Sequence, residues 1–308
     1  MIVNNDGNIE HEIPSDHDMK GNKLINVGQA VGNSDVVVKS QVADIIRDSF
    51  LDLWVSEYMK TYAKCVYSID RATSDTVEMD ANRKVETVYD KSNDESDATQ
   101  TDKTKRPSVC TKSEKVNGRC FLKFNGSQKM ISQVNLNNTG VNVFIVYKMN
   151  SRSANWNNGL FGHDDGGFDK FVAYNGRNLV ISGGHNSYNA TFIGPDSSLF
   201  NFMKLGDYSK NDLGELNTWH CLSVHWDNMS ASNTEKSKIY WNGIHMGDFT
   251  SEQKSGTNTM VFAGLNPNKI IGDLDGGIAF FCVYLDYILD ERTISDHHKV
   301  LMQRYGIV

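Results

Sequence analysis

Several features that mark particular classes of protein are scarce or missing in this sequence of 308 residues. The four prolines are too few for long proline-rich linkers. No apolar run approaches the roughly 20 residues of a membrane-spanning helix, so we expect no membrane insertion. A net charge of −7 disfavours non-specific binding to nucleic acid or to anionic membranes. The first 18 residues are polar and acidic, so we expect no signal peptide.

Motifs of catalytic and zinc sites are also missing. None of the five cysteines lies in a Cys-x-x-Cys pair or in a cysteine–histidine cluster with zinc spacing. We expect Cys221 and Cys282 to be buried thiols, whereas Cys110 and Cys120 flank a polar loop and are either free or bridged. The histidines are scattered, and no Glu-x-Asp-x-x-Glu string of paired carboxylates occurs. We therefore expect no enzyme, although carboxylates distant in sequence leave hydrolysis open.

What the sequence does contain is a pattern of antiparallel strands. Gly276 and Gly277 open an apolar run of strand length, with the composition of a strand buried on both faces. Alternation in the segment 219–226 places His220 and His225 on opposite faces of another strand. These patterns predict that a sheet holds the chain together.

Shorter signals mark turns, a loop and a final helix. The dipeptides Asn175-Gly176 and Asn242-Gly243 predict type I′ hairpin turns. The polar stretch 91–118 predicts a long surface loop. Helical spacing near the end, with an N-cap at Ser295 or Asp296 and a stop at Gly306, predicts a short amphipathic helix.

A series of short motifs occurs in order along the second part of the chain: Phe124-Asn125-Gly126-Ser127, Trp219-His220, Tyr240-Trp241-Asn242-Gly243, Gly277-Ile278-Ala279 and Arg304-Tyr305-Gly306-Ile307. In order and spacing this series resembles the concanavalin A-like jelly-roll domains of the laminin-G-like kind, over roughly residues 66 to 308. The resemblance implies a mainly β protein, an antiparallel jelly-roll β-sandwich of a type that often binds carbohydrate.

The segment before this region resembles the shaft repeat of phage tail fibres. Its strand pair is too small to bury an apolar face by itself. In the fibre family three chains wrap together, so the resemblance implies a trimer in which Leu24, Ile25 and Val27 make contacts between chains. The matching residues are Met19, Gly21, Asn22, Lys23, Ile25, Asn26, Asp35, Val37, Lys39 and Val42.

Residues 42–64 have the periodicity of an amphipathic helix. Ile46, Phe50 and Leu53 fit the core positions of a coiled coil, but Glu57 interrupts the seam. Two interpretations stay open, a helix packed on its own β domain and a trimeric bundle beneath it.

Two kinds of binding site are indicated in the loops. Asp164, Asp165 and Asp169 lie among glycines and are oxygen donors of the kind that bind Ca²⁺, although an ordinary solvated turn has the same composition. Other loops combine aromatic rings with amides, the chemistry that sugar recognition needs. The predicted glycan-binding residues are Trp156, Asn157, His185, Asn186, Tyr188 and Asn189.

Together these features predict three parts: a flexible segment 1–18, a β/α-helical trimerisation stem 19–64 and a β-sandwich head 65–308. The predicted function is a viral or phage attachment protein that binds a host-surface glycan or protein receptor, with other virion proteins held through its N-terminus. It would be made in a host cytoplasm or nucleus and act on the virion surface or outside cells. No cofactor is expected apart from Ca²⁺. The alternatives are a non-binding structural virion component and a carbohydrate-active enzyme.

Overall fold

The computed structural model describes residues 2–3, 9–11, 59–151, 158–165, 169–183, 191–193, 215–228, 237–249, 251, 256–266 and 273–308. The chain forms two compact units, Met1–Val55 and Ser56–Val308. In the first unit, strand β1 (Ile2–Val3) pairs antiparallel with β2 (Ile9–His11). The residues predicted to make trimer contacts lie outside the described ranges; they are Leu24, Ile25, Val27, Ile46, Phe50 and Leu53.

The second unit is built mainly from short strands. Two α-helices, Met59–Tyr62 and Glu291–Tyr305, accompany them, as do 3₁₀ turns at Lys103–Lys105 and Lys112–Glu114. No helix in the described part of the chain is long and apolar enough to cross a membrane. The strands are β3 (Cys65–Ser68), β4 (Val77–Met79), β5 (Val85–Val88), β6 (Ala98–Thr99), β7 (Ser108–Val109), β8 (Leu122–Asn125), β9 (Met130–Ser132), β10 (Gly140–Met149), β11 (Asn158–Gly162), β12 (Lys170–Asn175), β13 (Asn178–Gly183), β14 (Thr191–Ile193), β15 (Trp219–Asp227), β16 (Ser237–Trp241), β17 (Ile244–Phe249), β18 (Met260–Phe262) and β19 (Asp275–Leu285).

These strands form two antiparallel sheets packed face to face. The first sheet has the order β17-β16-β15-β10-β19-β8-β7, with β3 also paired to β19. The second has the order β14-β13-β12-β11-β18-β9-β6-β5-β4. Phe161 and Phe262 of the second sheet meet Phe281 of the first, with ring centroids 5.4 and 5.6 Å apart. The predicted antiparallel β-sandwich is therefore confirmed.

Strand β19 is buried on both faces, as its composition predicts. Phe281 points into the core between the sheets. Phe280 and Tyr284 alternate with it and point to the outer face. The ring centroids of Phe280 and Tyr305 lie 6.5 Å apart, and those of Tyr284 and His297 lie 5.5 Å apart. The helix Glu291–Tyr305, called the C-terminal helix below, thus covers the outer face of the first sheet.

The C-terminal helix exists as predicted but begins earlier. Asp290 is the N-cap, and its Oδ1 accepts a hydrogen bond from the Thr293 N–H at 2.7 Å. The predicted cap at Ser295–Asp296 is wrong because Ile294, one residue before it, is already buried as part of the helix. Gly306 ends the helix in the left-handed conformation with φ 64°, as the sequence predicts.

Other local predictions meet mixed outcomes. The Asn242-Gly243 turn joins β16 to β17 with φ values of 47° and 77°. Asn175 instead ends β12 and pairs with Asn178, so the turn there lies one residue later than predicted. All five cysteines are buried free thiols, Cys110 and Cys120 included.

The polar stretch 91–118 is not simply a surface loop. It contains β6 and β7, and Gln100 and Arg106 are buried in it. Gln100 Nε2 donates to the Lys129 carbonyl oxygen at 2.9 Å, and Arg106 Nε donates to the Gln100 carbonyl oxygen at 2.9 Å. Because these polar groups bond to one another, they can be buried at little cost, which polarity alone does not reveal.

Candidate functional site

An open groove of about 720 Å³ lies at one end of the first sheet. Four separate parts of the chain line it: the loop before β8, the start of β15, the β16–β17 turn and the residues after the C-terminal helix. The lining residues are Lys115, Val116, Asn117, Glu215, Asn217, Thr218, Trp219, His220, Trp241, Asn242, Tyr305, Gly306, Ile307 and Val308.

Two half-buried tryptophans give the groove flat apolar surfaces. Trp219 meets the edge of Phe121, with centroids 4.8 Å apart, and Lys148 Nζ lies 5.4 Å from the Trp219 ring centroid. Gly277 of β19 makes room for them, since a Cβ there would lie 2.8 Å from Phe121 and 3.1 Å from Trp219. The apolar face of Trp219 is thus held in a fixed position beside the sheet.

The second tryptophan rests on a histidine. Trp241 and His220 have ring centroids 4.8 Å apart and planes inclined by 31°. Burial lowers the pKa of His220, so its ring is neutral and packs as an aromatic group. Its Nδ1 lies 3.4 Å from Asn242 Nδ2. The amide donates to this nitrogen, which links Trp241 to the polar side of the groove.

Three asparagines bring polar groups to the groove. Asn117, Asn217 and Asn242 have φ values of 44°, 61° and 47°, a conformation that asparagine tolerates better than most residues. Asn242 Oδ1 accepts from the Cys221 N–H at 2.8 Å. The backbone N–H of Asn217 donates to the Met149 carbonyl oxygen at 2.7 Å. The Asn217 residue is exposed and lines the groove. Of the three amides, that of Asn217 is exposed at the groove, whereas those of Asn117 and Asn242 are also held by bonds within the protein.

This combination suits a carbohydrate. A pyranose ring offers an apolar face that stacks on an indole and hydroxyl groups that bond to amides and carboxylates. Glu215 supplies an exposed carboxylate, and its backbone carbonyl lies 3.4 Å from His220 Nε2. Glu215 is the only carboxylate side chain among the described lining residues, whereas hydrolysis of glycosides uses a pair.

The predicted glycan-binding residues lie outside the described ranges; they are Trp156, Asn157, His185, Asn186, Tyr188 and Asn189. In the sequence, the two groove tryptophans stand out only as strand residues and as parts of the jelly-roll motifs. The signal that could have pointed to the groove is their position, because Trp219 is the first residue of β15 and Trp241 is the last residue of β16.

The three predicted metal ligands do come together. One carboxylate oxygen from each of Asp164, Asp165 and Asp169 lies within 4.8 Å of the others. The loop also uses these groups internally, since Asp169 Oδ2 accepts from the Asp165 N–H at 3.1 Å and Asp164 Oδ1 accepts from the Asp169 N–H at 3.2 Å. The donor set fits Ca²⁺, and binding of that ion stays a prediction.

A buried histidine and lysine adjoin this loop. His163 is buried, with its Nδ1 3.2 Å from the Thr257 carbonyl oxygen. Burial, aided by the charge of Lys170, lowers the pKa of His163 to about 4. Burial also lowers the pKa of Lys170 to about 8, although Asp169 acts in the opposite direction. The carboxylates therefore have a charged lysine, and no charged histidine, as their buried neighbour at neutral pH.

No protein-family model matches the sequence, and no curated protein matches it. Solved structures do share the fold. They include the binding domain of botulinum neurotoxin serotype D (TM-score 0.51, 13% identity, 79% of this chain and 53% of that chain). The binding domain of Paraclostridial Mosquitocidal Protein 1 gives the same four values.

A GH54 α-L-arabinofuranosidase soaked with a cyclic sulfate inhibitor also matches (TM-score 0.50, 10% identity, 82% of this chain and 64% of that chain). The chain spans about half the length of the two toxin binding domains. At these identities the likeness establishes the β-sandwich fold alone.

Proposed function

We propose that the protein is an attachment protein whose β-sandwich head binds a glycan in the groove between Trp219 and Trp241. The observation that carries the proposal is the pairing of two half-exposed indole faces with three rim asparagines and one carboxylate. Such a site would bind one sugar weakly, through stacking and a few hydrogen bonds.

The fold comparisons support binding more than catalysis. Two of the matching structures are described as binding domains of toxins. The third is a glycosidase, so an enzyme on this fold is the competing proposal. The single carboxylate among the described residues of the groove, Glu215, favours binding. We therefore propose that the protein is not an enzyme.

The fibre-like part of the proposal comes from the sequence. The resemblance of residues 19–42 to a fibre shaft, with a helical pattern following it, supports a homotrimer on a virion surface. Three heads held together would convert three weak contacts into useful avidity. The alternative function is that of a structural virion component that binds no receptor. Such a protein would show no glycan binding that depends on the groove.

A glycan array tests the groove directly. The full chain should bind a subset of glycans at pH 7, and Trp219→Ala should weaken that binding about tenfold or more, because it removes the stacking face. Asn217→Gly, which removes an exposed amide at a position with φ 61°, should weaken it without straining the backbone. Tyr62→Ala is the matched control, since Tyr62 is 56% exposed and does not line the groove. Equal binding by all four proteins would refute the proposal.

Light scattering tests the trimer. The full chain should have three times the mass of one copy, and changing Phe50 to Asp should reduce that mass to one copy. A monomeric full chain would remove the fibre interpretation and leave the glycan groove as a separate question. Release of reducing sugars from an array hit would instead support the enzyme.

A further inference from the structure

The C-terminal helix supports two walls of the groove. On one wall, His298 Nδ1 accepts a hydrogen bond from the Gly243 N–H at 3.1 Å, in the turn that carries Asn242. On the other wall, Asn117 Nδ2 donates to the carbonyl oxygen of Arg304 at 2.9 Å. Separation of the helix from the sheet would therefore remove a support that both walls share.

A chain of buried hydrogen bonds fixes the protons between helix and sheet. Asn142 Oδ1 accepts from the Leu289 N–H at 3.1 Å, so the His225 Nδ1 that lies 2.9 Å from it must be the donor. His225 Nε2 then accepts from Ser223 Oγ at 2.9 Å. Ser223 Oγ in turn accepts from His298 Nε2 at 2.8 Å. This leaves His298 Nδ1 without a proton, as its bond from the turn requires.

His297, the neighbour of His298 on the helix, is also held neutral. Its Nδ1 donates to the Thr293 carbonyl oxygen at 2.7 Å, and its Nε2 accepts from the Tyr284 hydroxyl at 2.6 Å. Its ring stacks on Phe144 with centroids 4.8 Å apart. Both ring nitrogens are thus used by a neutral imidazole.

A further proton on His298 or His225 is opposed by the hydrogen bonds of this arrangement. A proton on His298 Nδ1 would face the Gly243 N–H. A proton on His225 Nε2 would face Ser223, whose oxygen already accepts from His298. Buried donors that face donors, and buried charges without partners, are costly. In keeping with this geometry, burial lowers the pKa of His297 to about 4, that of His298 to about 3 and that of His225 well below its usual value.

The surrounding charges do not reverse this effect. The positive charge of Lys238 further lowers the pKa of His225, and the carboxylate of Asp296 raises the pKa of His297 less than burial lowers it. Lys238 and the exposed His245 have carboxylate partners of their own. The ionisable groups on the elements packed around the three histidines are Lys238 and Tyr240 on β16, His245 and Asp248 on β17, Tyr284 on β19, and Glu291 and Asp296 on the helix.

We infer that the C-terminal helix is an acid-sensitive support of the groove. Protonation of the histidines between the helix and the sheet separates the helix from the sheet, opens the groove and releases a bound glycan. His298 is a positioning residue in this device, because it acts on the groove through Gly243. The inference rests on the proposed function, since it assigns a regulation to the same site.

The expected effect is large. The docking constant is the equilibrium constant between the helix docked on the sheet and the helix separated from it. For a histidine whose pKa is near 6.5 when exposed and 3 to 4 when buried, acidification from pH 7 to pH 5 reduces this constant by about 25-fold. If both His297 and His298 become exposed on separation, the reduction should be roughly 600-fold. Replacing one of them by a residue that does not titrate should leave a reduction of about 25-fold.

Hydrogen exchange without any glycan tests the opening. Protection factors for residues 240–246 and 296–306, corrected for the intrinsic pH dependence of exchange, should fall steeply from pH 7 to pH 5. In His298→Asn, whose Oδ1 can accept from Gly243 at any pH, the fall should be about 25-fold smaller. Ile244→Asn is the matched control, because Ile244 is 60% exposed on the same hairpin and does not titrate, and it should behave as the unaltered protein. No fall, or an equal fall in His298→Asn, would overturn the inference.

Binding to the array glycans tests the consequence. Affinity should fall between pH 7 and pH 5 in the unaltered protein in proportion to the fraction of molecules whose helix has separated, and it should fall less in His298→Asn. Binding retained at pH 5 would refute the pH control while leaving the proposed function intact. Absence of groove-dependent binding at pH 7 would refute the proposed function itself, and with it the release of a glycan.

Discussion

Acidification from pH 7 to pH 5 should lower the free energy of unfolding by about 4 kcal/mol or more, because the buried histidines resist protonation; they are His163, His220, His225, His297 and His298. The pKa is lowered to about 4 for His163 and His297 and to about 3 for His298. A lowered pKa of a base means that the unfolded chain takes up protons first. The stabilisation that each neutral, buried histidine contributes is complete above pH 6.5. It is lost as the pH falls toward the pKa of the folded state, and the loss is about 1.9 kcal/mol for each of these histidines by pH 5.

One carboxyl group acts in the opposite direction. Burial raises the pKa of Asp273 to about 6, against the weaker effect of the Lys129 charge. The folded protein therefore takes up this proton first, which restores about 1.3 kcal/mol of stability between pH 7 and pH 5. Glu114, with a pKa of about 2 because of its bond to Lys123, loses its contribution only below pH 4.5 and does not enter this range. The histidines dominate the balance.

Urea unfolding at pH 7, 6 and 5, followed by tryptophan fluorescence, measures this dependence. His163→Asn should remove about 1.9 kcal/mol of the pH dependence, whatever it does to stability at pH 7. Ile244→Asn should leave the dependence unchanged, because it changes a side chain that is 60% exposed and does not titrate. A change below about 1 kcal/mol in the unaltered protein would show that these histidines titrate freely, and the reasoning would fail.

Three further predictions concern charge, metal and backbone. Asp70→Asn should lower the free energy of unfolding by about 3 kcal/mol, because it leaves the buried guanidinium of Arg304 without its carboxylate partner; a loss under 1 kcal/mol in urea titrations would contradict this. Millimolar Ca²⁺ should raise Tm by about 5 °C in the unaltered protein but not in Asp169→Asn; an equal rise in both would place the ion elsewhere. Gly243→Ala should cost about 1 kcal/mol, since φ there is 77°, and an unchanged denaturation midpoint would argue against the turn geometry.

The proposed glycan binding and its proposed regulation both depend on the C-terminal helix. Its outer position in the fold suggests a mere cover for the first sheet, yet it contacts the β16–β17 turn at one point and the loop before β8 at another. Its end is anchored in turn by Tyr305, whose hydroxyl donates to Asp70 Oδ1 at 2.7 Å. Variants of the helix should therefore change glycan binding without touching the ligand, a pattern that a purely structural cover would not produce.

Much of the architecture could be read from the sequence because its signals are local. Alternation over a few residues places His220 and His225 on opposite faces of β15, and the structure confirms this: His220 contacts Tyr147 and Trp241, whereas His225 bonds to Ser223 and Asn142. The nearly continuous apolar composition of β19 predicts a strand buried on both faces, which the structure also confirms. The aspartates of the 164–169 loop were recognised because all three lie within six residues.

The groove and the histidine cluster depend on tertiary structure. Asn117 and Arg304 are separated by 187 residues, and His225 reaches His298 only through Ser223 once the helix folds back over the sheet. No short-range sequence pattern links the scattered histidines to one another, and none links the two tryptophans at the strand ends. Short-range alternation determined which face each side chain takes, whereas long-range pairing of strands decided which faces meet, and the site exists only where they meet.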